Sequence, residues 1–444
     1  AFDSFASAVL GPADEGARTT LKSEMEAWHA YRTGLMARNA TPVRFGWARL
    51  DAVGYILNKV AHTLSPDQSE VWFADAPVSY PFIWNASQHD RLQWNGIAEN
   101  RTRINIGGNA TDIGGLGRNA GQVIGVFAGM ELEPGGLLST RIADTSVRID
   151  NIIRLERVLS RLHSPVWPEA LAGEIDRGDI FARGRALYDE TCLACHARLA
   201  PDDVESPITA SMQPIFAPQA GTDPLMACNA ILHRSESGPL EGAEFRYFPS
   251  IAAANIGEAE PTSKLLSSLI LRTIIKRRDD LIEVLAEDTF QFFGAGDDPV
   301  VVARGGPPTP DPLIAMRMRK AAMVGTCRDL VAEGNAANVA LLQYKARPLN
   351  GIWATAPYLH NGSVPTLYDL LLPPDDRPTT FGVNARLDTD KVGIDGTTDG
   401  APFVFNVLAE DGQPLPGNSN AGHVYGTDFT EADRRALVEY LKSL

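Results

Sequence analysis

The sequence predicts a mainly α-helical chain with extensive ordered loops, and three observations carry that expectation. Apolar residues recur at helical spacing near the start, around residues 147–162 and at the carboxy terminus. Between these stretches lie long segments rich in Gly, Asn and Pro, within totals of 39 glycines and 30 prolines, which favour fixed turns over regular elements. The chain has 444 residues, 44% hydrophobic and 21% charged, which is ordinary for a globular protein and enough for two or three domains.

The elements follow in order. The stretch "DEGARTTLKSEMEAWHAYRTGLMARN" offers a start at Asp14 and places Leu21, Met25, Trp28 and Leu35 at helical intervals. From Asp75 to Gly121 the texture is dense in Gly, Asn, Pro and aromatic residues, which reads as long ordered loop; "QVIGVFAGMEL" then reads as a short buried segment. Val147, Ile149, Ile152, Ile153, Leu155, Val158, Leu159 and Leu162 line one helix that ends before Pro165. "SPVWPEALAGEID" serves as a connector, so the predicted division is 1–170, helical and loop-rich, and 171–444. The second part holds the helix "RGDIFARGRALYDETCLACH", Pro-rich loops at 201–224 and 305–312, and helices near 262–287 and 312–335. It closes on "TEADRRALVEYLKSL" with Thr430 as N-cap. There is no internal repeat and no low-complexity tract.

A net charge of −15 argues against the phosphate-neutralising surface of a nucleic-acid binder. An acidic surface suits a basic redox partner protein, or simply solubility. The most apolar run, "KLLSSLILRTIIKRR", is too short to cross a bilayer, so no membrane span is expected. The chain opens "AFDSFASAVLGP" without an initiator Met or a leader, as in an exported protein whose signal has been removed, or in a trimmed chain.

Only four cysteines occur, and two of them, Cys192 and Cys195, stand directly before His196. Cys-x-x-Cys-His is the attachment signature of c-type haem. Two thiols one helical turn apart share a face and reach the two vinyl groups along a porphyrin edge, and the next imidazole ligates the iron. A zinc site would usually need a second pair, which is absent, and a thioredoxin-like dithiol would follow a strand. The pattern therefore predicts one covalent haem c in a cytochrome c-like domain and, since such attachment occurs outside the cytoplasm, a periplasmic or secreted protein. In an oxidising compartment Cys228 and Cys327 most simply form a disulfide, the rival being two free buried thiols.

The second axial ligand separates electron transfer (six-coordinate iron) from chemistry at an open iron. Among the other histidines, His29, His62, His89, His163, His233, His360 and His423, two stand out by setting. His423 lies in the Gly-flanked loop "SNAGHVYGTDF" and His360 in the compact turn "TAPYLHNGS". Methionines of "LIAMRMRKAAM" are alternatives, although a Met stripe on a helix is more often core. A calcium site is a further candidate from "DTDKVGID" and "DGAPFVFN", whose spacing matches no standard cation loop.

The blocks "RGRALYDETCLACH", "YKARPLNGIWATAPYLHNGSVPTLYDLLLPP" and "NAGHVYGTDFTEADRRALVEYLKSL" resemble the carboxy-terminal domain of bacterial dihaem cytochrome c peroxidases. They are more similar still to the rubber-oxygenase and fatty-acid-oxygenase branch, and the likeness extends from about Phe45 onward. The resemblance implies that Cys192, Cys195 and His196 carry a relay haem and that His423 is its second axial ligand, with His360 structural or near the haem. It also implies an amino-terminal catalytic haem, yet residues 1–191 contain no cysteine. That haem is then lost, bound without thioethers (with His29, His62 or His89 as candidate ligands), or located upstream. Two function classes follow. One is an electron-transfer cytochrome with bis-His iron. The other is a peroxidase or dioxygenase acting on peroxide or a small apolar substrate, with Trp72, Tyr80, Phe82, Trp84, Trp94 and Phe127 lining a pocket or merely forming core. A haem-stapled scaffold is a third.

Overall fold

The computed structural model describes residues 2–12, 15–68, 72–100, 103–106, 109–112, 114–135, 140–246, 253–286, 312–334 and 336–444. The Asp14 helix start and most of the 305–312 loop lie outside these residues. Helices dominate: α1 (Phe2–Leu10), α2 (Glu15–Arg38), α3 (Ala52–Leu64), α4 (Gly114–Val126), α5 (Ile149–Leu159), α6 (Glu169–Ala172) and α7 (Asp179–Thr191). After them come α8 (Leu225–Leu232), α9 (Thr262–Lys276), α10 (Arg278–Ala286), α11 (Pro312–Ala332), α12 (Ala336–Leu341), α13 (Leu367–Leu370) and α14 (Glu431–Leu441). Every sheet among the described residues is a two-stranded antiparallel ribbon, so strands serve to fix loops. The mainly α expectation holds, and no described helix is long and apolar enough to cross a membrane.

Local signals explain most boundaries. Asp51 caps α3 by accepting the Gly54 amide at 2.8 Å. Thr430 caps α14 as its sequence suggests, accepting the Asp433 amide at 3.1 Å. The periodicity of α2 locates a helix but not a buried face, since Met25 and Trp28 are exposed and only its last turn, at Leu35, is buried. One expectation fails. The Gly-rich run before Gln122 is not loop but the first half of α4. Its glycines permit close helix approach: a Cβ on Gly121 would meet Ile270 of α9 at 2.8 Å, and one on Gly125 would meet Ile56 of α3 at 2.5 Å.

Of four core clusters among the described residues, three join helices. The first joins Val60 and Leu64 of α3 with Leu116 and Ile124 of α4, Ile149 and Ile152 of α5, and Leu265 and Leu269 of α9, so it draws on both sides of residue 170. A second packs Val53, Leu57 and Val78 against Met226, Leu342 and Tyr344, and includes the disulfide between Cys228 of α8 and Cys327 of α11, whose Cα atoms lie 6.0 Å apart. The third carries the site. Leu187 and Tyr188 of α7 interlock with Leu437, Tyr440 and Leu441 of α14, beside Tyr358, Val364 and Leu367. Burying each such side chain contributes about 1.5–3 kcal/mol. The two helices touch backbone to backbone, for a Cβ on Gly184 would sit 1.9 Å from the Ala436 carbonyl oxygen.

Candidate functional site

Helix α7 ends at Cys192, whose amide bonds the Tyr188 carbonyl at 2.9 Å, and one more turn brings the Cys195 and His196 amides onto the Cys192 carbonyl. Cys192, Cys195 and His196 thereby face one cavity of about 1430 Å³, its open mouth included. Its wall is mostly apolar, with Leu349, Ile352, Leu370, Leu371, Leu437 and Leu441 among the lining residues.

Within it, the His196 Nδ1–H donates to the Arg347 carbonyl at 2.7 Å, which assigns the proton to Nδ1 and leaves the Nε2 lone pair free. Burial holds His196 below the usual imidazole range and so keeps it neutral. Its partner across the cavity is His423, with ring centroids 6.3 Å apart. A ring nitrogen lies about 2 Å from a bound metal and about 1 Å from its own centroid, so trans imidazoles on one metal stand about 6 Å apart. Burial first, then His196 and Arg377, push His423 down to about 3, so it too offers a neutral ring. Its Nδ1 is buried with no partner beyond its own backbone.

The loop presenting His423 is built for that position. His423 itself has a left-handed φ of 49°, a conformation that non-Gly residues keep only when their surroundings impose it. At Gly422, φ is 82° and a Cβ would fall 1.6 Å from the Gly221 carbonyl oxygen, so no other residue fits. The buried Arg377 spends its donors on backbone carbonyls: Leu372 at 3.0 Å, Asn420 at 2.6 Å, Gly422 at 2.8 Å, Leu370 at 3.0 Å and His423 at 3.2 Å. The "HNGS" turn adds a clamp. Asn361 donates to the carbonyls of Gly417 and Ser419 at 3.1 and 2.8 Å, and the Ser363 hydroxyl donates to Ser419 at 2.9 Å. Sequence reasoning singled out that turn but gave no role to Asn361, Ser363 or Arg377, because grips on distant main-chain oxygens leave no local pattern.

His360 also lines the cavity, stacked on Tyr344 at 4.1 Å and edge-on to Trp94 at 6.4 Å. Burial, then Arg49, push it to about 3, and its Nδ1 has no partner. The methionine alternatives lie elsewhere: Met316 and Met323 are buried on α11, Met318 is exposed, and none lines the cavity. His62 bonds the Tyr31 carbonyl at 2.9 Å, and His233 uses both nitrogens on Thr262 and Asn58. His89 is buried, whereas His29 and His163 are exposed. Of the aromatic set, Tyr80 and Trp94 line the cavity, Phe82 stacks on Trp84 at 4.4 Å, Trp72 stacks on His233, and Phe127 is exposed. The rival dithiol chemistry loses ground, since burial pushes the Cys192 thiol up to about 11, far from a reactive thiolate.

The calcium expectation finds no support. Asp388 caps its own turn through the Asp390 and Lys391 amides, Asp395 accepts from Asn384 and Thr397, and Asp369 pairs with Lys391. No cluster of three or more His, Cys, Asp or Glu suited to a metal occurs among the described residues.

Helices crossing beside a Cys-x-x-Cys-His turn, with an imidazole behind it, define a cytochrome c-like, haem-binding protein. Residues 343–382 match a family described as RoxA-like, cytochrome c-like, which supports the rubber-oxygenase relationship and implies a haem c cofactor. The chain belongs to the family of the uncharacterized protein y4iJ of Sinorhizobium fredii (strain NBRC 101917 / NGR234), with 30% identity over 473 residues, covering 100% of this chain and 68% of that protein. It is also similar to the uncharacterized protein y4iM of the same strain, 56% identical over 122 residues, or 22% of this chain and 27% of that one.

Proposed function

We propose that this chain is an exported, periplasmic or secreted, c-type cytochrome that transfers electrons to a partner protein through one haem. Cys192 and Cys195 hold the haem by thioethers, and His196 and His423 are its axial ligands. The observation that carries the proposal is the 6.3 Å separation of the two imidazoles across a cavity that both thiols line. Haem supplies one-electron cycling between ferric and ferrous iron. The chain's own residues then have defined tasks. Arg347 fixes the His196 tautomer through its carbonyl. Arg377, Asn361 and Ser363 hold the loop that brings His423 to the opposite face. The leucine-rich wall excludes water, and the surplus of acidic residues favours a basic partner.

The test is a haem count with spectroscopy. One pyridine-haemochrome equivalent per chain, resistant to acid–organic extraction, and a low-spin spectrum are expected. His423→Ala should turn high-spin and bind carbon monoxide. A colourless chain, or an unchanged spectrum in the variant, would refute the assignment. A second reading, a peroxidase or dioxygenase whose catalytic haem is noncovalent or supplied elsewhere, draws on His360, a third cavity imidazole that a bis-His site leaves unused. Two haems per chain would favour it.

A further inference from the structure

Arg347 has a second feature that the electron-transfer reading does not use. Its backbone carbonyl fixes His196, while its half-buried side chain lines the same cavity. The guanidinium carbon lies 3.3 Å from the Phe82 ring centroid and 5.0 Å from that of Trp94. Buried guanidinium groups elsewhere have polar partners: Arg49 donates to Phe45 and Asn418, Arg118 to Asn100 and Glu156, and Arg377 to its five carbonyls. The Arg347 guanidinium meets no carboxylate and no carbonyl acceptor among the described residues. Its neighbour Lys345 lines the cavity too and has a single carbonyl contact, to Arg91 at 3.1 Å.

Aromatic faces compensate a half-buried cation only in part. The cavity lining thus joins leucines to a guanidinium with no polar acceptor among the described residues. That complements a ligand with a broad apolar body and a carboxylate edge. A planar guanidinium meets such a carboxylate through two parallel N–H bonds.

We infer that Arg347 is the docking point for a carboxylate of the group that fills the cavity and that, in the haem-loaded protein, this carboxylate is a haem propionate. The inference rests on the haem reading above. A fixed cation near a bound haem would favour its ferrous state, so Arg347 would also raise the potential.

The experiment is a redox titration of the full-length, haem-loaded chain, with a crystal structure of the same material. In Arg347→Gln the reduction equilibrium constant should fall about tenfold, which is 59 mV for one electron, with the low-spin spectrum retained. Arg347→Lys, which keeps the charge but loses the fork, should shift it less. The wild-type structure should place a propionate oxygen in hydrogen-bond reach of the guanidinium, whether or not the variants load haem. A Gln variant within twofold of wild type would overturn the inference, as would loaded wild type with both propionates elsewhere or with a free carboxylate at Arg347. Either result leaves the cytochrome reading standing, whereas a colourless wild type removes both.

Discussion

Gly184→Ala should cripple the haem-bearing unit, and the magnitude follows from one contact. The new methyl carbon would sit 1.9 Å from the Ala436 carbonyl oxygen, 2.6 Å from its carbon and 2.9 Å from the Tyr440 Cβ. Contact distances of about 3.5 Å or more are needed, so α7 and α14 must separate by more than an ångström. The obstruction is main chain, which cannot rotate away. Moving the helices apart loosens Leu187, Tyr188, Leu437, Tyr440 and Leu441 together. Overpacking of this kind costs about 1–3 kcal/mol and sometimes more, offset by about 0.5–1 kcal/mol from replacing a helical glycine. We expect a net loss of about 2–2.5 kcal/mol, since backbone obstruction puts the cost near the top of that range. The assay is urea unfolding followed by the Soret band and by circular dichroism. The control is Gly117→Ala in α4, where nothing lies within 4 Å; it should gain about 0.4–1 kcal/mol. If Gly184→Ala matched wild type to within about 0.5 kcal/mol, the two helices could not cross as described.

Two further outcomes are expected. Burial, then Arg319, Arg38 and Lys320, push His233 down to about 3, so the folded chain binds fewer protons than the unfolded one, where histidine titrates near 6.5. Its contribution is fully present above pH 6.5 and falls by about 1.4 kcal/mol per pH unit below that. Urea midpoints at pH 7 and pH 5 should differ less in His233→Gln than in wild type, and equal slopes would contradict the account. Arg377→Gln should free the His423 loop and give a partly high-spin, carbon monoxide-binding iron, with Arg377→Lys intermediate; an unaltered absorption spectrum would show that the loop holds itself.

Much of the site is legible in the chain because its logic is local. A thiol pair and an imidazole must be adjacent to share one macrocycle edge, and a Gly-flanked histidine announces a tight approach that only glycine permits, here at Gly422. Thr430 signals the last helix for a similar local reason. What escapes reading depends on distant partners. Gly121 looks like a loop residue until Ile270 is seen against it. Arg377 sits in Pro-rich sequence that gives no sign of burial. The exposed faces of α2 and α5 follow the same periodicity as buried ones, because period reports amphipathicity and not the presence of a covering element.

The grip on the segment from Gly417 to His423 falls almost wholly on peptide oxygens: Asn361, Ser363 and Arg377 hold the carbonyls of Gly417, Ser419, Asn420, Gly422 and His423. Holders of that kind are indifferent to most side chains they pass. Evolutionary drift is accordingly cheap at Ala421 and dear at the three holders, so an alignment of relatives should show invariance at Asn361, Ser363 and Arg377, far upstream of His423, and variation at its doorstep.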